Sequence, residues 1–212
     1  MTRIAVLGGT GYAGSNIVAE AVSRGHSVVS IARSIPTVRV EGAIYLEGNI
    51  LDVPGLLEQL QEVDVVVQAL SPRGDMVGKV RPATAELFAA LPDTVRLGVV
   101  GGAGGCLVEP GGARVIDSGF PEELKPEAFE AIGVLEDLQV APASKDWFFV
   151  HPAAGFGAWA PGERTGTYRD GGPVLVTNED GESFISGADF GVAVVDEIET
   201  PKHHRENFAV GY

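Results

Sequence analysis

Three glycines near the start of the chain have the spacing of a turn that binds phosphate. Gly8, Gly11 and Gly14 form the pattern GxxGxxG and directly follow the apolar run 4–7. Glycines at this spacing allow a tight turn, let the backbone approach a pyrophosphate, and leave free N–H groups at the start of the next helix. The turn therefore predicts a nicotinamide dinucleotide site that includes Gly8, Thr10, Gly11, Tyr12, Ala13 and Gly14.

Two residues after the second predicted strand favour NADP(H) as the nucleotide. About 20 residues past the glycine motif, NAD-binding proteins place an acidic side chain on the ribose 2′-hydroxyl. This chain has Arg33 and Ser34 there instead. A guanidinium and a hydroxyl suit a 2′-phosphate through charge-assisted hydrogen bonds. We expect NADP(H) to be preferred, with NAD(H) as the alternative; the competing interpretation is that Arg33 is a plain surface cation.

Apolar runs alternate with helical patterns along most of the chain, which is typical of a parallel α/β sheet. Strands are predicted at 4–7, 26–32, 43–47, 63–70, 95–100 and 147–150, and helices at 15–24, 53–61, 83–91, 126–138 and 188–198. The less regular part predicts a hairpin at 107–116, short strands near 174–176 and 184–185, and a last apolar stretch at 208–210. We expect a doubly wound Rossmann fold in one domain, 1–212, with a substrate-side lobe from about residue 151.

Ligands of such sheets lie outside the carboxyl ends of the strands, so the residues after each strand are further candidates. Asn49 and Ile50 would lie against the adenine, and Leu70 and Ser71 beside the pyrophosphate and ribose. The candidates after the fifth and sixth strands, near the nicotinamide, are Gly101, Pro152 and Ala153.

Side chains after the sixth strand are candidates for binding a second substrate. His151 would donate a hydrogen bond to the cofactor carboxamide or to an acceptor ring, and Phe156, Trp159 and Tyr168 would form an aromatic wall. The competing interpretations are that His151 bonds to local backbone and that the aromatic rings only pack the lobe.

The proton-donating pair of ordinary short-chain dehydrogenases is missing. These enzymes carry a Lys four residues after a Tyr, one helical turn away, where the charge of the Lys lowers the pKa of the phenol. No Tyr of this chain is followed by a Lys at that offset. A conjugated acceptor has less need of such a donor, because its proton can come from water. The sequence therefore favours hydride transfer from NADPH to a flavin, a quinone or a similar small-molecule electron acceptor.

The bulk composition excludes several classes of partner. A net charge of -14 without a basic cluster disfavours nucleic acid. No apolar run near the start approaches the roughly 20 residues of a membrane span. The single Cys106 fits a reducing compartment, and His203 and His204 lack a third ligand, so no metal is predicted. We expect a cytoplasmic monomer or homodimer.

Several stretches together resemble the NADH-flavin reductases among the atypical short-chain dehydrogenases, a group of NmrA-like and epimerase-like NAD(P)-binding proteins. The stretches are 8–14, 48–52, 100–104 and 161–169, with 186–189 and 210–212 as more particular features. Asn49 departs from the Asp that this family often has. The resemblance implies a Rossmann core with a small C-terminal substrate region, which binds NAD(P)H and reduces a free flavin or quinone.

Two other functions stay open at this point. A non-catalytic NADP-binding sensor, whose occupancy controls a partner protein, also needs no Tyr–Lys pair. A sugar epimerase-like or dehydratase-like enzyme would need a proton-transfer residue that the sequence does not reveal. The segment 72–82, rich in glycine and charge, is a candidate lid over a substrate.

Overall fold

The computed structural model describes all 212 residues and contains one eight-stranded sheet. Its strands are β1 (Arg3–Leu7), β2 (Ser27–Ala32), β3 (Ile44–Glu47), β4 (Val65–Gln68), β5 (Arg96–Val100), β6 (Trp147–Pro152), β7 (Arg169–Asp170) and β8 (Glu206–Gly211). Their order is β3-β2-β1-β4-β5-β6-β8-β7, and only β7 pairs antiparallel with its neighbour. The chain runs outward from β1 in both directions, so the predicted Rossmann fold class is confirmed.

Five α-helices cover the two faces of the sheet. They are α1 (Tyr12–Ser23), α2 (Val53–Gln59), α3 (Val80–Ala90), α4 (Lys125–Gln139) and α5 (Gly187–Glu199). Helices α1 and α5 pack together on one face, and α2, α3 and α4 cover the other. None of them combines the length and the apolarity that crossing a bilayer requires.

The central strand β1 shows why a continuous apolar run predicts this sheet. Ile4 and Val6 belong to the core beneath α1 and α5, whereas Ala5 and Leu7 belong to the core beneath α2, α3 and α4. All four residues are buried. A strand with helices on both sides must be apolar at every position, because successive side chains point to opposite faces.

Two helices begin three residues earlier than the sequence predicts. Helix α1 begins at Tyr12, with Gly11 as its N-cap, so the last glycine of the motif lies within its first turn. Helix α3 begins at Val80, ahead of Pro82. Proline is tolerated in a first helical turn because the N–H that it lacks would have no helical partner there.

The strands predicted at 174–176 and 184–185 are wrong. Each segment forms only one isolated bridge, from Val174 to Leu107 and from Phe184 to Gly155. No second residue pair of either segment is bridged, so neither segment forms a strand.

The end of the chain completes the sheet instead. The predicted apolar stretch 208–210 lies within β8, which pairs in parallel with β6. The two-residue strand β7, which the sequence did not predict, then covers the outer edge of β8. The predicted hairpin is reduced to one antiparallel bridge between Leu107 and Arg114, followed by a 3₁₀ turn at Val115–Asp117.

Candidate functional site

A cavity of about 1020 Å³ runs along the carboxyl ends of the central strands. It lies at the point where the strand order reverses, between β1 and β4, as ligand sites do in open α/β sheets. Nearly all of the predicted nucleotide residues line it: Gly8, Thr10, Gly11, Tyr12, Ala13, Arg33, Ser34, Asn49, Ile50, Leu70, Ser71, Gly101, Pro152 and Ala153. Gly14 does not line the cavity; it packs against the backbone of Gly8 and Gly9.

Close packing explains two of the glycines. Gly8 has a φ of 80°, and a Cβ there would lie 2.8 Å from the carbonyl oxygen of Ala69. A Cβ on Gly14 would collide with the carbonyl oxygen of Gly8. Gly14 therefore lets the first turn of α1 pack directly against the glycine turn, which brings the start of the helix to the cavity.

Several N–H groups at this turn have no acceptor in the protein. The N–H of Gly11 donates to the carbonyl of Gly8, but those of Thr10, Tyr12, Ala13 and Gly14 form no hydrogen bond. The first turn of α1 also contains no acidic side chain. Free N–H groups and an uncompensated helix dipole form an anion site, so the turn can hold the pyrophosphate of a dinucleotide.

Arg33 and Ser34 lie at the cavity where the 2′-phosphate was predicted, but Arg33 already has a partner. Its Nη1 atom is 2.5 Å from Oδ2 of Asp75, and 59% and 66% of the two side chains are exposed. Asp75 belongs to the short 3₁₀ helix Gly74–Met76, which follows β4. A 2′-phosphate would therefore compete with a carboxylate for this guanidinium.

The adenine candidates are positioned by the turn after β3. The side-chain oxygen of Asn49 accepts a hydrogen bond from the N–H of Leu51 at 3.0 Å, which fixes the turn. Ile50 is buried in the core and still lines the cavity. This pair can offer an amide nitrogen and an apolar surface to a flat base.

The segment 71–79, which overlaps the predicted lid 72–82, is hydrogen-bonded to α4. Glu127 accepts hydrogen bonds from Oγ of Ser71 at 2.6 Å and from Nε of Arg73 at 2.5 Å. Glu130 accepts from the backbone N–H of Gly78 at 2.6 Å. The segment therefore bridges the nucleotide side of the cavity, through Asp75 and Arg33, and the α4 side, through two carboxylates.

Phe156 is the predicted aromatic residue that the structure brings into contact with the nucleotide turn. Its ring centroid lies 5.1 Å from that of Tyr12 and 4.6 Å from that of Phe190. Trp159 also lines the cavity and is 76% exposed, so its ring is available to a ligand.

Tyr168 does not line the cavity, and its predicted place in the aromatic wall is wrong. The ring packs on the core beneath α1 and α5, and the hydroxyl donates to Oδ2 of Asp196 at 3.0 Å. Burial, together with the charge of Asp196, raises the pKa of this phenol well above its usual range. The hydroxyl stays protonated and serves the packing of α5.

His151 is also not part of the cavity wall. It is buried, with Nδ1 2.8 Å from the carbonyl oxygen of Gly102 and Nε2 3.2 Å from Nδ2 of Asn207. Burial lowers its pKa to about 4, so the ring is neutral near pH 7. The imidazole thus supports the loop after β5 from behind; as in the competing interpretation it bonds to backbone, but that backbone is 49 residues away along the chain and not local.

The segment after β6 is held in place by a latch around Asp189. Its buried carboxylate accepts hydrogen bonds from both N–H and Oγ1 of Thr165, from the N–H of Gly166, and from the hydroxyls of Ser186 and Tyr212. Many donors on one carboxylate lower its pKa despite the opposing effect of burial. The stretches 161–169, 186–189 and 210–212, which carried part of the family resemblance, therefore meet at one point.

Tyr12 connects this latch to the nucleotide turn. Its hydroxyl donates to the carbonyl oxygen of Pro161 at 3.2 Å and accepts from the N–H of Gly187 at 3.0 Å. Tyr12 thus has its N–H at the anion site and its phenol on the wall that carries Phe156 and Trp159.

Comparisons with known proteins agree with this geometry. A model of the NAD dependent epimerase/dehydratase family matches residues 4–85, which contain the glycine turn, Arg33 and Asp75. The chain is also 36% identical to the uncharacterized protein YwnB of Bacillus subtilis, over 98% of this chain and 97% of YwnB. The chain belongs to the same family as YwnB, and its amino-terminal part matches the NAD dependent epimerase/dehydratase model.

Two solved structures are similar to this chain over its full length. SP1627 of Streptococcus pneumoniae, provisionally named an NADH-flavin reductase, is 32% identical with a TM-score of 0.86, over 100% of this chain and 99% of that one. A Burkholderia pseudomallei protein, provisionally named an exported protein, is 34% identical with a TM-score of 0.87, over 100% of both chains. Both share the Rossmann sheet together with the C-terminal region.

Sequence reasoning missed three carboxylates that shape the site of this family member. Glu127 and Glu130 line the cavity from α4, and Asp189 holds the wall opposite. In the sequence they look like ordinary residues of amphipathic helices. Only Asp189 carried a signal, since Ser186 precedes it at the spacing of an N-cap whose side chain bonds three residues ahead.

Proposed function

We propose that the protein is an NADPH-dependent reductase that transfers hydride to a flavin, a quinone or a similar conjugated acceptor. The observation that carries the proposal is the anion site at the start of α1, which opens into a cavity of about 1020 Å³. Ligand sites span roughly 300 to 1,000 Å³. This volume is at the upper end of that range, which supports room for a dinucleotide and a second ring.

The wall beyond the nicotinamide position favours reduction of a conjugated ring over alcohol or epimerase chemistry. No Lys or His lines the cavity, and its one Tyr, Tyr12, has its hydroxyl engaged by Pro161 and Gly187. Hydride leaves the dihydronicotinamide as a proton with two electrons. A flavin or quinone takes the pair into its ring system and acquires the second proton from water. The site must mainly hold two flat rings about 3 to 3.5 Å apart.

The preference for NADP(H) is supported by Arg33 and Ser34 at the mouth of the cavity and by the absence of an acidic residue at the end of β2. NAD(H) is the alternative. Because Asp75 pairs with Arg33, a substitution at Asp75 should change the affinity for NADPH more than the affinity for NADH. The cytoplasmic location and the single domain with its substrate-side lobe remain predictions, as does the monomer or homodimer.

A non-catalytic NADP sensor is the second candidate, and one observation favours it. The segment 71–79 contacts the nucleotide side through Asp75 and α4 through Glu127 and Glu130. A nucleotide that displaces Asp75 from Arg33 would alter this surface segment, which a partner protein could then distinguish.

The deciding experiment measures nucleotide binding and turnover separately. Calorimetry gives the affinity for NADPH and NADP⁺, and the absorbance of NADPH reports its oxidation with riboflavin, FMN or a naphthoquinone. Binding with turnover supports the reductase. Binding without turnover across all acceptors supports the sensor, and absence of binding at millimolar nucleotide refutes both.

A further inference from the structure

The charges on the acceptor side of the cavity define what kind of ring it accepts. We propose that the acceptor is an uncharged conjugated ring, such as a quinone or a flavin without phosphate, and that Glu127 and Glu130 exclude anionic acceptors. This inference rests on the proposed reductase function, because it names the substrate class of that same site.

On the acceptor side of the cavity, no unpaired cationic side chain is available to bind an anionic acceptor. Its charged lining residues are Arg33, Arg73, Glu127 and Glu130. Arg33 lies at the 2′-phosphate end, and Nε of Arg73 is 2.5 Å from Oε2 of Glu127. The charges on the acceptor side therefore sum to one net negative charge.

Helix α4 presents an apolar stripe with the carboxylates along it. Leu124, Glu127, Ala128 and Ala131 are spaced by three or four residues and all line the cavity, so they share one helical face. Phe120 adds a ring to the same side, and Phe156 and Trp159 lie on the segment after β6. Such surroundings suit a flat apolar ring.

The amino end of α4 does not provide a second anion site. Glu127 lies in its first turn, and Glu122 and Glu123 directly precede it. Lys125, the nearby cation, pairs with Glu122. Acidic side chains at a helix start compensate the positive end of the dipole, so a phosphate here would meet carboxylates instead of free N–H groups.

The hydride step sets no requirement for charge on the acceptor. The C4–H bond of the dihydronicotinamide breaks and a bond to hydrogen forms on the acceptor, while NADPH is oxidised by two electrons. With one proton from solvent, NADPH, H⁺ and a quinone give NADP⁺ and the hydroquinone. Riboflavin and FMN share the same ring and differ only in the phosphate, so their comparison isolates the effect of charge.

The test compares kcat/KM for riboflavin and FMN, and for a naphthoquinone and its sulfonate, at low and high salt. Since like charges at close range repel strongly and salt screens them, we expect about a tenfold preference for each neutral compound, which narrows at high salt. Equal or better use of FMN and the sulfonate would overturn the inference while leaving the reductase intact. If no acceptor of either pair is reduced, the proposed function fails and this inference fails with it.

Two variants test whether the carboxylate of Glu127 causes the preference for neutral acceptors. Glu127→Gln releases Arg73 and removes one negative charge, so the ratio of riboflavin to FMN in kcat/KM should fall at least threefold. Glu136→Gln is the matched control, because Glu136 lies on the same helix, pairs with Arg114 and does not line the cavity. An unchanged ratio in Glu127→Gln, or an equal fall in both variants, would overturn the role of Glu127.

Discussion

Removing the charge of Asp75 should strengthen NADPH binding and leave NADH binding nearly unchanged. In the structure the Asp75 carboxylate occupies the guanidinium of Arg33 at 2.5 Å. An NADPH molecule whose 2′-phosphate binds Arg33 must displace Asp75 or share the guanidinium with it. Asp75→Asn keeps the size of the side chain and removes the competing charge.

The size of the effect follows from the exposure of the pair. An exposed ion pair contributes about 0.2 to 1 kcal/mol, and the free energy of the Arg33–Asp75 pair is lost when the phosphate displaces the carboxylate. If the two anions share Arg33 at about 6 Å, a phosphate of charge near -2 and a carboxylate repel by roughly 1 kcal/mol in water, and salt halves this. Together the two routes span about 0.2 to 1 kcal/mol, which corresponds to a gain of roughly 1.4- to fivefold in NADPH affinity.

Calorimetric titration of both nucleotides at low and moderate salt measures this selectivity. The matched control is Glu62→Gln, since Glu62 is similarly exposed and pairs at 2.7 Å with Arg3, the first residue of β1, away from the cavity. The reasoning is refuted if Asp75→Asn binds NADPH no better than the original protein does, or if NADH gains as much as NADPH.

Three further outcomes are expected. Gly14→Ala should weaken nucleotide binding roughly five- to 150-fold, because overpacking against the carbonyl of Gly8 costs about 1 to 3 kcal/mol and moves the start of α1. Ser23→Ala in the last turn of the same helix serves as its control, and normal NADPH affinity in Gly14→Ala would contradict the role of the turn. The folded state holds the pKa of His151 at about 4, below its unfolded value, so the stability that the neutral ring contributes is lost as the pH falls from about 6.5 towards 4. Between those two pH values, the urea midpoint should therefore drop less for His151→Gln than for the original protein. An equal drop in both proteins would argue against this role of His151. Burial raises the pKa of the Cys106 thiol to about 12, so a thiol reagent at neutral pH should label it only after unfolding, and rapid labelling of the folded protein would show that the site opens.

The sequence predicted the nucleotide half of the site because that half is local. The glycine turn, the end of β2 and the end of β4 each lie within a few residues of a strand that its apolar run reveals. A parallel sheet brings all of these strand ends to one edge, so topology alone places Arg33 and Leu70 at the same cavity as Gly8.

The other half depends on contacts between distant parts of the chain, which no local pattern specifies. Glu127 bonds to Ser71 across 56 residues, and the wall depends on Asp189, which reaches back to Thr165. His151 and Tyr168 were mistaken for ligand residues because their chemistry is visible in the sequence and their orientation is not. In the structure each turns toward a buried partner, Gly102 or Asp196, which satisfies its polar atom.

The phenol of Tyr12 has a consequence for how the molecule matures on the ribosome. Its two partners lie 149 and 175 positions later in the chain, so the glycine turn emerges long before the residues that its hydroxyl binds. Domains generally begin to fold from the amino end during synthesis. The hydroxyl of Tyr12 therefore gains its two partners only after translation has delivered the start of α5, and the contact between the glycine turn and the C-terminal region forms late.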